Sequence, residues 1–223
     1  MSRQLAFDLP AHAALRREDF FVSPANALAL AALDRWRDWP GGKMVLVGPV
    51  GAGKTHLAHI WADAVKAALI AGADLATADL PGMADAGPVC VDDCEAVAGD
   101  PAAEEALFHL YNLLTERRVA LLFTAATPPR DWGICLPDLA SRLHAAALTR
   151  LDGPDDALLS AVLIKLFADR QIAVPPTLIP FLVSRMDRSF EAARALVAAL
   201  DARALALGRP ITRQLAAEVL DRA

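Results

Sequence analysis

The octapeptide Gly48-Pro49-Val50-Gly51-Ala52-Gly53-Lys54-Thr55 constrains this chain more than any other feature. It satisfies GxxxxGK[ST] and stands between an apolar β-type run and a helical one. Glycines at 48, 51 and 53 let the backbone curl until its N–H groups face inward. The helix starting near Lys54 adds the positive end of its dipole to the concavity. The product is a phosphate cradle framed by Gly48, Pro49, Gly51, Ala52, Gly53 and His56. Lys54 is placed to reach the β- and γ-phosphates and the Thr55 hydroxyl to ligate Mg²⁺. Without phosphate, Lys54 is expected to be a solvated charge.

Such a loop needs a metal-holding acid at the end of a neighbouring strand, and Val89-Cys90-Val91-Asp92-Asp93 supplies one. Asp92 is expected to hold the magnesium through water, and Asp93 to orient the attacking water. Two adjacent acids after an apolar run are also an ordinary strand-ending turn. Their pairing with the glycine-rich loop favours the site.

β-type and helical segments alternate up to about residue 151, with strands expected at 44–47, 67–70, 89–92, 120–124 and 145–151. The runs are mostly continuous and apolar, as in parallel strands buried on both faces. After Gly153-Pro154 only helical patterns follow, at 155–169, 176–184, 189–207 and 212–222. The expected fold is α/β: a parallel sheet flanked by helices over 18–153, a C-terminal all-helical lid over 154–223, and a tail over 1–17.

Composition narrows the class. Hydrophobic residues make up 55%, much of it alanine, and the longest apolar stretches, such as 27–33, are far short of the roughly 18 residues that cross a bilayer. No membrane association and a cytoplasmic location are expected, since the N-terminus lacks the pattern of a secretory signal. The three cysteines form no CxxC pair, and no histidine stands at zinc-ligand spacing beside them. A net charge of −5 without a Lys/Arg block argues against a nucleic-acid coat protein and against sequence-specific DNA binding.

The stretch 48–57, GPVGAGKTHL, with VDD at 91–93, resembles the DnaA, Hda and helicase-loader branch of the AAA+ ATPases. Residues 121–129, LLFTAATPP, are similar to that family's sensor 1 strand, residues 136–143, LPDLASRL, to its box VII helix, and Asp187-Arg188-Ser189 to its sensor 2 segment. The resemblance spans about residues 18–223. It implies ATP or ADP as ligand with Mg²⁺, Arg142 as an arginine finger acting in trans, and Arg188 closing the lid over the chain's own nucleotide. A guanidinium suits both tasks, being always charged and offering a planar fork of donors. Taken alone, either arginine reads as an ordinary exposed helix residue. Residues 19–26 resemble the N-linker, which implies that Phe21 and Val22 line an adenine slot with Asn26 close by; Phe20 and Phe21 read equally as core residues. Ala126 occupies the position where the family places a polar sensor, with Thr124 and Thr127 as substitutes, which implies weak intrinsic hydrolysis. Asp93 stands where most AAA+ proteins have glutamate, as in the initiator branch.

Gln4-Leu5-Ala6-Phe7-Asp8-Leu9 is similar to the clamp-binding peptide of Hda proteins. Leu5, Phe7 and Leu9 would be apolar anchors and Gln4 the polar key. A loose terminus or a strand packed on the core is the alternative, and Asp8 replaces the usual proline or small residue. The chain stops at Ala223 with the fourth lid helix, so no origin-binding domain is expected after it. The resemblance therefore implies a regulator of replication initiation that binds the DNA polymerase III sliding clamp (β subunit), stimulates ATP hydrolysis by DnaA, and pairs as a homodimer in one mode of assembly. The alternative is a helicase-loader-like ATPase that remodels a partner by its own turnover.

Overall fold

The computed structural model describes residues 21–221. Gln4, Leu5, Phe7 and Leu9 lie outside the described residues. Five parallel strands, β1 (Lys43–Val47), β2 (Ala68–Ala71), β3 (Val89–Asp92), β4 (Leu121–Ala125) and β5 (Ala147–Arg150), form one sheet in the order β2-β3-β4-β1-β5. Every residue of β1, β3 and β4 is buried, whereas β2 and β5 alternate between half-buried and exposed. The difference follows from position. Central strands are covered on both faces, while an edge strand keeps one face partly open. The stretch 145–151 is accordingly not one apolar strand: Ala145 ends a helix and only 147–150 pair.

Helices α1 (Pro24–Asp34) and α2 (Lys54–Val65) cover one face of the sheet, burying Leu33, Leu57 and Trp61 against Leu46 and Leu122. Helices α3 (Leu80–Ala86), α4 (Pro101–Glu116) and α5 (Pro137–Ala145) cover the other, where Leu107, Leu110, Leu114 and Leu139 meet Val45, Val91 and Phe123. Each buried leucine contributes roughly 1.5–3 kcal/mol. Side-chain caps set the starts: Asp79 and Asp100 accept from the first turns of α3 and α4, and Ser23 with Asn26 closes a reciprocal box at α1.

The lid consists of α6 (Asp156–Asp169), α7 (Leu178–Val183), α8 (Phe190–Leu207) and α9 (Arg213–Leu220) around Leu159, Leu163, Phe167, Leu182, Val197 and Leu200. Asp155, Ser189 and Thr212 are side-chain caps just outside their helices. Among the described residues no helix is long and apolar enough to cross a membrane.

Candidate functional site

The glycine-rich loop leaves β1 at the middle of the sheet. The Gly48 N–H donates to the Ala125 carbonyl at the end of β4 (3.1 Å), and the Leu151 N–H donates to the Val47 carbonyl (2.7 Å). Gly48 is glycine for lack of room, since a Cβ there would sit 2.4 Å from the Leu151 carbonyl oxygen. Gly51 and Gly53 have φ of +77° and +95°, a region that side chains disfavour. Lys54 is not the solvated charge expected. It is 7% exposed, and its ammonium donates to the carbonyls of Gly48 (2.9 Å) and Pro49 (3.2 Å). A buried ammonium must be compensated, and the loop's own carbonyls do this where they stand within reach. Ala52 is buried and His56 half-buried in the first turn of α2.

Asp92 ends β3, which is separated from β1 by β4. Thr124 of β4 bridges the gap. Its hydroxyl donates to Asp92 Oδ1 and accepts from the Asp93 N–H (2.9 Å), while Thr55 Oγ1 donates to Asp92 Oδ2 at 2.9 Å. A carboxylate and a hydroxyl in contact are hard oxygen donors suited to Mg²⁺, which takes few protein ligands and completes its shell with water and phosphate. Asp93 holds the left-handed conformation (φ 48°). Its carboxyl is pushed above the usual range by burial and by the adjacent Asp92, with Lys54 pulling the other way. Of the two threonine substitutes for a polar sensor, Thr124 reaches the acid. The Thr127 hydroxyl and N–H and the Ala126 N–H instead go to the Glu95 carboxylate, at 2.9–3.4 Å. Glu95 was missed in the sequence; its position two residues past Asp93 was the available signal.

The lid rests directly on the cradle. The Phe190 N–H donates to the Gly51 carbonyl (3.2 Å). A Cβ on Gly51 would lie 2.4 Å from Ser189 Cβ, and one on Gly53 would lie 2.9 Å from the Phe190 ring. Arg188, one residue earlier, is ion-paired with Asp156 of α6.

Arg142 lies in the last turn of α5, with its guanidinium 5.0 Å from the ring centre of Phe108 and 5.6 Å from that of Tyr111. In the segment before α1, Phe21 and Val22 are each 52% exposed. Asn26 is buried, and its side chain is engaged locally: Nδ2 donates to the Phe21 carbonyl (2.9 Å) and Oδ1 accepts from the Ser23 N–H (2.9 Å).

Fold and site together define a phosphate-loop α/β domain carrying a helical lid. The fold is that of the AAA+ domain of DnaA. Among solved structures the chain is similar to domain III of the replication initiation protein DnaA from Thermotoga maritima, with TM-score 0.79 and 19% identity over 93% of this chain and 96% of that one. AMPPCP-bound DnaA from Aquifex aeolicus aligns with TM-score 0.68 and 17% identity over 82% of this chain, which spans 64% of the longer protein. A RuvB variant from Thermotoga maritima aligns with TM-score 0.64 and 19% identity over 89% of this chain and 68% of that one. No family model matches the sequence.

Proposed function

We propose that this chain binds adenine nucleotide between sheet and lid and regulates replication initiation by presenting Arg142 to the ATP of DnaA, while its N-terminal peptide tethers it to the sliding clamp. The observation that carries the reading is the state of Arg142. Its guanidinium lies over the Phe108 and Tyr111 rings, and among the described residues no hydrogen-bond acceptor or carboxylate pairs with it. A cation to which the described residues offer no acceptor is available to an oxyanion on another molecule.

Within this chain, the loop N–H groups and Lys54 would hold the phosphates, and Thr55 with Asp92 would hold Mg²⁺, which when bound neutralises phosphate charge. The nucleotide reading has the support of the loop's geometry and of a similar fold solved with AMPPCP in DnaA from Aquifex aeolicus. On DnaA, Arg142 would stabilise the charge of phosphoryl transfer, a role worth roughly 10³–10⁵ in rate for arginine fingers.

The test is phosphate release from DnaA with ATP in the presence of clamp-loaded DNA. This protein should accelerate release. Arg142→Ala should lose the acceleration while keeping nucleotide affinity, clamp binding and melting temperature. Replacing Gln4, Leu5 and Phe7 by alanine should remove clamp capture alone. A folded Arg142→Ala protein that still accelerates DnaA overturns the reading. Turnover by this protein alone that depends on Arg142 would favour a self-sufficient ATPase instead.

A further inference from the structure

We propose that Glu104, Phe108 and Tyr111 of α4 are positioning residues for Arg142, holding its guanidinium over the two rings, where no acceptor among the described residues takes its N–H donors and a phosphate of another chain can; this rests on the regulatory reading above. The three residues stand at i, i+4 and i+7, one face of a helix. That face meets α5 at two levels.

At the first level, Glu104 is 1% exposed yet fully satisfied. Its carboxylate accepts from the N–H groups of Gly99 (3.0 Å), Cys135 (3.0 Å to each oxygen) and Leu136 (2.7 Å). Cys135 and Leu136 are the two residues that lead into α5. A buried carboxylate bonded to their amides therefore fixes where that helix begins.

At the second level, Phe108 and Tyr111 carry the guanidinium two turns further along α5. The platform is anchored from beneath, because Tyr111 stacks on Phe123 of β4 with ring centres 6.5 Å apart. A cation over an aromatic ring is attracted by the ring's quadrupole rather than by a hydrogen-bond acceptor, so its N–H groups stay unused. It also orders a long side chain before any partner arrives, which lowers the entropic cost of reaching a phosphate. An ion pair would order the arginine equally well, but it would occupy the donors. The aromatic pair orders it without doing so.

Tyr111 is the chain's single tyrosine, so its ionisation can be followed by phenolate absorbance without assignment. The charged groups facing its ring are Arg142 from α5 and Lys43 from β1, the latter 5.4 Å from the ring centre. Burial raises the phenol's pKa and Arg142 lowers it. Burial brings the Lys43 ammonium down to about 8, so it loses most of its charge before the phenol titrates.

In Arg142→Gln the phenolate should therefore form at higher pH than in the parent. In the clamp-and-DnaA assay, Phe108→Leu/Tyr111→Leu should lower the maximal stimulated rate roughly three- to thirtyfold, with half-saturating DnaA unchanged. Tyr111→Phe, which keeps the ring, should retain the parental rate. An unmoved phenolate titration in Arg142→Gln overturns the proposal, as does a folded double variant that stimulates like the parent. If the double variant does not fold, the titration decides. A parent protein that fails to stimulate DnaA sinks the regulatory reading, and the tyrosine titration then still tests the aromatic platform under Arg142 by itself.

Discussion

Arg188 is held by Asp156, Nη2 to Oδ1 at 2.7 Å, while the next two residues, Ser189 and Phe190, lie on the phosphate loop. The arginine is thus poised beside the cradle with its charge engaged on the lid. On the proposed reading, in which Arg188 reaches a terminal phosphate, Asp156 competes with that phosphate for it.

Both members of the pair are exposed, 62% and 65%, which limits its worth to about 1 kcal/mol. Asp156→Asn should therefore tighten ATP binding by no more than about fivefold. Arg188→Ala should weaken ATP more than ADP. Calorimetric titration with both nucleotides checks this, and ATP affinity unchanged in Asp156→Asn would remove Asp156 as a competitor for Arg188.

Gly51→Ala should displace the lid. Its Cβ would meet Ser189 Cβ at 2.4 Å in addition to the strain of φ +77°. Gly99 has nearly the same φ, +81°, but nothing within 4 Å of its missing Cβ, so Gly99→Ala pays only the backbone cost of about 1–2 kcal/mol. Limited proteolysis near Gly153 should accelerate in the first variant beyond what the second shows. Equal rates would mean that the contact does not seat the lid.

Lys54→Ala should lose tight nucleotide binding and also some stability. The side chain now donates to two loop carbonyls, and losing a buried donor costs about 1–3 kcal/mol. Nucleotide titration and urea unfolding of the apo protein separate the two effects. Parental affinity for ATP would end the phosphate-site assignment.

Glu104 and Asp93 should give opposite pH dependence. Burial raises the Glu104 pKa, but the N–H groups of Cys135, Gly99 and Leu136 more than offset it, and the folded value lies below the ordinary one. Its stabilisation is complete above the unfolded pKa and is lost as pH falls through the folded value, so the penalty of Glu104→Gln should shrink in acid. Asp93 is shifted upward, so its charge opposes folding above the folded pKa, and that opposition disappears as pH falls below the unfolded value. Asp93→Asn should stabilise the protein near neutrality and lose that gain in acid. Urea unfolding from about pH 3 to about pH 8 spans both transitions. The same sign of trend in both variants would contradict the assigned environments.

Much of the scaffold was legible locally. The loop 48–55, the Asp92-Asp93 pair and the change to all-helical texture after Gly153 depend on residues adjacent in the chain, and each appears close to where it was read. The edge strands were read less well, because a continuous apolar run does not reveal which strands end up with a neighbour on one side only. Lys54 was read as solvated because nothing nearby in sequence announces that its own loop would fold its carbonyls around it.

By itself the sequence determined that a strand must pass through a glycine-rich turn into a helix, and that two acids must close a second strand, since curl, cap and periodicity are properties of short segments. Tertiary structure alone decided that β4 would come between those strands and put Thr124 against Asp92, that Ser189 would press on Gly51, and that Glu104, Phe108 and Tyr111 would line up under Arg142. These pairings join residues some 31 to 138 positions apart in the sequence. They arise from strand order and helix packing, which minimise exposed apolar surface over the whole chain and leave no mark on the residues between.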